Sequence, residues 1–436
     1  MKVLIVSWYF PPVNTIGAIR VGKFARFLLE RGHDVGVVAG SKWGAPETLP
    51  LGVPLARIAY AQPFDINAGP QWIQQQLKRS NLPANAVAPA VHSADGHRQP
   101  QHKSILRQLS NLYLWLTNIP DNRIGWLPAA YLTCRRMCRT WRPDLIFASG
   151  PPFTAFLAAR RISQRIRVPW VAELRDRWAD DPYDDSPRWR HALDEKLEHS
   201  ILKTACGLVT VTEPWAQFYR HKYEKPVATI YNGFDPHDFD APELGSRPPE
   251  NPHLVIGYAG GIYPGRRDPT PLFRALRLLG DAGEQVRVVF CGANPAHVFP
   301  LAEQALVRHL VEVRPPVPYR QSLEFQRQSD VLLLMQWNDP REQGNCPGKF
   351  FEYIGSLRPV LLLGLEDGVP ATIMRQRSAG FCSNDPRLIA AQLKIWLHEK
   401  EEFGRVRGLP EAAREGLSRE IQFAQLETFL RGMSAS

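Results

Sequence analysis

The sequence predicts an α/β protein made of two successive open, mostly parallel sheets with flanking helices. Three observations carry that class. A strand–loop–helix–strand run opens the chain over 3–39, the same pattern restarts at 254, and 436 residues exceed what one ordinary core holds.

Residues 3–7 read as a buried strand, and 8–17 as a loop with Pro11, Pro12, Asn14 and Gly17. A helix is expected over 18–31, with Ile19, Phe24, Phe27 and Leu28 near helical spacing, and a second strand over 35–39. Gly17 thus opens a helix, with Arg20 one turn on. The G-x-G-x-x-G dinucleotide fingerprint is absent here, which argues against a dehydrogenase. Residues 41–122 are the least legible part. An irregular excursion is placed at about 67–122, its stretch 71–101 polar and rich in Asn, Gln, Pro and Ala. Residues 104–117 carry Ile105, Leu106, Leu109, Leu112, Tyr113 and Leu116, and suit either an interfacial membrane helix or an ordinary core helix.

Strand 143–148, helix 153–165 and strand 168–173 follow. In open parallel sheets, loops at the C-terminal strand ends face the ligand. Glu173, Arg175 and Asp176 are therefore candidates, unless Arg175 and Asp176 merely pair or Asp176 caps a helix. Asp180, Asp181, Asp184 and Asp185 lack a D-x-D spacing and read as a solvated acidic turn. Strands 208–212 and 227–231 close the first domain, 1–240, and a linker is placed over 240–252.

The second domain, 253–415, begins with strand 254–259 and a basic loop holding Gly260, Gly261, Arg266 and Arg267. Helix 270–279, strand 286–291, helix 301–310, strands 311–314 and 330–335, a helix over 350–357 and strand 360–363 follow. Helices 388–399 and 420–432 close the chain. After strand 330–335 comes Gly344-Asn345-Cys346-Pro347-Gly348-Lys349-Phe350-Phe351-Glu352-Tyr353. A tight turn that opens a helix offers free N–H groups and a dipole to an anion. Lys349 and Glu352, three apart, share one helix face. They suit a phosphate and sugar hydroxyls, or form a plain surface ion pair.

Composition narrows the function classes. At 44% hydrophobic and 22% charged, the chain is that of a soluble globular protein. Its formal charge of +10 favours phosphates or acidic lipid. Nucleic acid ranks last, because no block of like charge and no nucleic-acid motif accompanies it. Six scattered cysteines without a CxxC pair fit reduced thiols in the cytoplasm. The N-terminal apolar run stops at Tyr9-Phe10-Pro11-Pro12, too short for a signal peptide, and no run is long enough to span a bilayer.

Several of these stretches together resemble the bacterial retaining glycosyltransferases of family four. They are Tyr9-Phe10-Pro11-Pro12 with Gly17, 31–35, Ser149-Gly150-Pro151-Pro152-Phe153, Glu173-Leu174-Arg175-Asp176-Arg177-Trp178, Asn232-Gly233-Phe234-Asp235, Tyr258-Ala259-Gly260 through Arg266-Arg267, and 349–353. The resemblance covers nearly the whole chain except about 67–116. It implies the GT-B architecture: two Rossmann-like domains facing across a cleft, acceptor on the first and nucleotide-sugar donor on the second, with a C-terminal helix (416–436) packing back on the first. It also implies metal-independent, retaining transfer from a UDP- or GDP-sugar to a glycan or lipid-linked acceptor in surface polysaccharide biosynthesis. The location would be cytoplasmic, with peripheral attachment to an anionic inner membrane face as a further expectation.

Carried over by position, Glu352 matches a ribose-binding glutamate. Lys349 with Arg266 or Arg267 would hold the diphosphate, Gly17, Gly260, Gly261 and Gly348 would line it, and Asn14, Arg20 and Arg175 would lie on the acceptor side. Two departures stand out. Gly344 occupies the place of the family's first glutamate, so backbone N–H groups or Glu342 would take its part. Ser149-Gly150-Pro151-Pro152 replaces a catalytic histidine, leaving Asp176, Glu173 or the donor phosphate to receive the acceptor proton. A non-catalytic binding protein and a nucleotide-sugar 2-epimerase are the alternatives.

Overall fold

The computed structural model describes residues 1–41, 47, 49, 56–64, 112–184, 186–239 and 252–435. The chain forms two compact units. The first takes residues up to Ile230 together with Phe423–Ser436, and the second takes Tyr231–Gln422.

In the first unit β1 (Lys2–Ser7), α1 (Ile16–Glu30), β2 (Asp34–Gly40) and β3 (Arg57–Ala61) are followed by α2 (Leu127–Thr140) and β4 (Leu145–Gly150). Then come α3 (Thr154–Ile166), β5 (Trp170–Leu174), α4 (Arg188–Leu202), β6 (Gly207–Thr210), α5 (Glu213–Tyr223) and β7 (Val227–Thr229). The sheet order is β3-β2-β1-β4-β5-β6-β7, and its pairings are parallel. The reason is visible in β1. Leu4 and Val6 enter one buried cluster while Val3 and Ile5 enter another, so both faces of the strand are covered.

The second unit repeats the plan. It holds β8 (Leu254–Ala259), α6 (Thr270–Leu279), β9 (Val286–Cys291), α7 (Pro295–Gln304), β10 (Val311–Arg314), α8 (Tyr319–Gln328) and β11 (Val331–Met335). After these come α9 (Gly348–Gly355), β12 (Val360–Leu363), α10 (Val369–Arg377), β13 (Gly380–Cys382) and α11 (Pro386–Phe403). The sheet order is β10-β9-β8-β11-β12-β13, again parallel. On β11, Val331, Leu333 and Met335 face one core and Leu332 and Leu334 the other. In both sheets the first strand lies at the point where strand order reverses, so the loops after β1 and β8 sit where such sheets bind ligands.

The last helix, α12 (Arg419–Ala435), begins in the second unit, and from Phe423 onward belongs to the first. There Phe423, Leu426 and Leu430 enter the core beside Val3 and Phe24. Glu427 meets His33 at 2.9 Å and Arg31 at 2.6 Å.

Several sequence expectations shift. The helix expected at 301–310 starts at Pro295, because Asn294 accepts the Ala296 N–H as a cap; it ends at Gln304, and Leu306 adopts a positive φ of 61°. The helix expected over 350–357 begins at Gly348. Strand 227–231 stops at Thr229. The excursion up to 111, most of helix 104–117 and the linker up to 251 lie outside the described residues, while 112–117 is helical.

Candidate functional site

In the second unit the site grows from the ends of β8 and β11. β8 finishes at Ala259, and Gly260 follows with φ +124°, a conformation that L side chains rarely adopt. A Cβ on Gly260 would lie 2.7 Å from Lys349 Nζ. A side chain there would push the ammonium from its place. Its ammonium donates to Ala259 O at 2.6 Å and Tyr258 Oη at 3.3 Å, and lies 4.3 Å from the Tyr258 ring centroid.

α9 presents Lys349 because its other face is apolar. Phe350, Phe351, Tyr353 and Ile354 are buried, and the Tyr353 hydroxyl accepts the Ala259 N–H. Pro347 precedes the helix and makes no side-chain cap, so among the described residues the first-turn N–H groups at Gly348 and Lys349 have no partner. The loop before it is pinned. Gln336 Nε2 donates to Asn345 O, and the buried Glu342 accepts from Asn345 Nδ2 at 2.7 Å.

Glu352 lies one turn beyond Lys349, half-buried. Gln326 Nε2 of α8 donates to its Oε2 at 3.2 Å. Burial lifts its pKa above the ordinary carboxylate value, against the pull of Arg419, the Gln326 bond and Lys349; Asp238 adds to the rise. The buried Arg419 donates through Nε to Asn232 O. Burial works against its charge, yet Tyr319, Glu352, Asp238 and Asp235 hold its pKa above the usual value. Sequence reasoning missed Gln326 and Arg419. The only local signal was Gln326 four residues after Ser322 on one helix face, which is common on amphipathic helices.

Arg266 and Arg267 ride the loop after β8, where both backbone N–H groups donate to Tyr263 O. Arg266 stacks 4.9 Å from the Trp337 ring, which also carries Arg341 at 4.3 Å, while Arg267 lies over Tyr263 at 4.5 Å. Gly261 is exposed, with no atom within 4 Å of a Cβ built on it. Lys349, Gly260, Gly348 and Glu352 are thus grouped about the start of α9, and the two arginines lie over aromatic rings on and beside the loop after β8.

In the first unit Thr15 caps α1 by accepting the Ala18 N–H, with Asn14 half-buried just before it. A Cβ on Gly17 would meet Arg175 Nη1 at 2.1 Å, so the guanidinium lies directly on the opening turn of α1. Arg175 is held there by Nε to Gly150 O at 3.2 Å and by Nη2 to Pro151 O. Burial lowers its pKa, partly offset by Glu173 and Asp176. Glu173 is buried, and its carboxylate is committed to Arg20 Nε at 2.9 Å and Ser149 Oγ at 2.5 Å. Arg20 also reaches Ile230 O. Glu173 and Arg20 therefore form an internal pair under the loop, and Asp176 is the exposed carboxylate of that strand end.

Asp180, Asp181 and Asp184 serve as a turn. Asp181 and Asp184 accept nearby backbone N–H groups, and Lys222 bridges Asp180 and the buried Glu198. Among the described residues no group of three or more His, Cys, Asp or Glu side chains is placed to hold a metal ion.

A model of the glycosyl transferase 4-like domain matches residues 17–233. No curated protein matches the chain by sequence. Among solved structures, the sucrose-phosphate synthase of Thermosynechococcus elongatus is 14% identical with a TM-score of 0.65, over 100% of this chain and 99% of that one. HepE of Anabaena, in complex with UDP and glucose, is 14% identical with a TM-score of 0.59, over 99% of this chain and 100% of that one. A UDP-forming α,α-trehalose-phosphate synthase of Burkholderia vietnamiensis is 13% identical with a TM-score of 0.57, over 100% of each. These likenesses place the fold.

Proposed function

The chain is a family-4-like glycosyltransferase of the GT-B fold, and from that premise we propose that it moves a hexose or amino-hexose from a UDP- or GDP-sugar to a glycan or lipid-linked acceptor, with retention of anomeric configuration and without a metal. The observation that carries this reading is the grouping of Lys349, Gly260 and Glu352 at the uncapped start of α9. A nucleotide diphosphate presents two things to bind, a ribose diol and a dianionic bridge. A carboxylate accepts the diol hydroxyls. An ammonium with free N–H groups takes the charge that grows on the diphosphate as the sugar leaves.

Lys349 already sits against Ala259 O and the Tyr258 ring, so it meets the diphosphate preorganised. Arg266 would add a second cation in place of Mg²⁺. On the acceptor side, the solvent-exposed Asp176 or the donor phosphate would receive the hydroxyl proton; Glu173 is buried against Arg20 and Ser149. HepE was solved with UDP and glucose, which supports a uridine donor here.

The test is an acceptor screen with UDP- and GDP-sugars, reading product anomer by NMR with a chelator present. Transfer with retention supports the proposal. Donor binding without transfer or hydrolysis points to a non-catalytic role, for which Gly344 in place of a glutamate speaks. Epimer formation from donor alone points to a 2-epimerase. No helix among the described residues is long and apolar enough to cross a membrane. A peripheral attachment to anionic lipid is proposed from the +10 charge and the exposed Leu112 and Leu116. Flotation with anionic liposomes at low salt tests it, and absence of binding removes it.

A further inference from the structure

Gln326 is fully buried on α8, and no sequence motif announces it. Its amide nitrogen is spent on Glu352 Oε2 at 3.2 Å and, more weakly, on Ser322 Oγ at 3.5 Å. Its amide oxygen is buried without a hydrogen-bond partner among the described residues. A glutamine kept only to fill the core would satisfy both ends or be replaced by an apolar side chain, because an orphaned buried acceptor is costly. The arrangement makes sense if the donor end is what matters. An ionised carboxylate accepts only, and it needs a donor in a half-buried site. The Glu352 carboxylate makes no other hydrogen bond among the described residues, so one oxygen is fixed and the other is left for a ligand.

We propose that Gln326 is the positioning residue of Glu352: through its amide N–H it keeps that carboxylate ionised and oriented as an acceptor for a vicinal diol, the ribose of the nucleotide. This rests on the donor-site reading above. The charged and titratable groups around Glu352 are Arg419 at the start of α12, Lys349 on its own helix, Asp238, and Tyr319 on α8, whose hydroxyl donates to Asp238 at 2.8 Å. Arg419 and Lys349 favour the ionised form and Asp238 opposes it. Gln326 is the uncharged member of the set, so its removal acts on Glu352 without altering the net charge.

The experiment is titration calorimetry on the full chain with UDP and GDP and with their 2′,3′-dideoxy counterparts, for wild type, Gln326→Leu and Gln326→Met. Both variants keep the volume and drop the donor; melting curves establish that each is folded, and the methionine variant, with its flexible chain, covers the case in which leucine packs badly. The variants are expected to lose about tenfold in affinity for the ribonucleotide, the size of one hydrogen bond to a charged group. Affinity for the dideoxy form should change by less than about twofold, since that ligand never used the carboxylate. The loss should shrink as pH rises, because Glu352 without its donor ionises later. Equal weakening of both ligands, or of neither, overturns the role given to Gln326. A wild type that does not distinguish the two sugars, or binds neither base, overturns the reading of Glu352 as a ribose ligand, and the role of Gln326 with it.

Discussion

Glu352 is held at a cost. Burial raises its pKa, so the folded protein binds its proton more tightly than the unfolded chain does. The sign follows from linkage: ionised Glu352 subtracts stability above its raised pKa, and that penalty fades as pH falls through the raised pKa and is gone below the ordinary carboxylate value. Glu352→Gln should therefore raise the melting temperature of the free protein near neutral pH, on the order of 2 °C, while destroying nucleotide binding. Calorimetric melting at pH 7 and near pH 4.5 checks it. A variant that melts lower than wild type at pH 7 contradicts it. The same logic separates Glu352 from Glu173, whose two oxygens are both taken by Arg20 and Ser149. From sequence alone these glutamates look alike, each beside cations at the C-terminal side of a strand or the start of a helix. Nothing local reveals that one carboxylate closes on residues 153 and 24 positions away.

At the scale of elements, the strands that carry the candidate site were legible, because β1, β8 and β11 are mostly apolar runs. α4 was not. Its buried face includes Arg190, Asp194 and Glu198, so the apolar stripe that marks a helix is interrupted by charges whose partners lie elsewhere. Arg190 bonds Asp194 on its own helix and Trp115 O from far upstream. β3 and β13 are edge strands of five and three residues, short enough to escape a period count. The glycine at the end of β8 was read as part of a phosphate loop. Its structural reason is sharper: φ +124° strains any L side chain there, and the ammonium 2.7 Å from a Cβ would have to move aside. Gly260→Ala should displace Lys349 and cost about 1–3 kcal/mol of stability, with nucleotide affinity falling alongside. Urea unfolding and titration of one sample measure both, and an unchanged affinity would show that Lys349 has no part in binding.

For the whole molecule, α12 closes the chain onto its beginning. Its Glu427 is buried; burial alone would raise its pKa, but bonds from His33, Arg431 and Arg31 bring the pKa below the ordinary value. A depressed carboxylate stabilises above its unfolded pKa, and the contribution is lost as pH falls through the folded one. Glu427→Gln should cost about 2 kcal/mol at neutral pH, and the difference from wild type should vanish in the acid range below the usual carboxylate value. Hydrogen exchange over 423–435, faster in the variant at pH 7, reports the loosening; equal exchange would contradict it. Both Rossmann-like units were foreseeable from the restart of the strand–loop–helix pattern at 254. Gln326 and Arg419 were not, since each acts on Glu352 from a segment distant in sequence. The most direct measurement is nucleotide titration of wild type, Lys349→Ala and Glu352→Ala in metal-free buffer. UDP or GDP should bind wild type and lose about tenfold or more in each variant, the weight of a charge-assisted contact. Binding that is equally tight in all three, or absent from wild type, would contradict a nucleotide-sugar site at the start of α9.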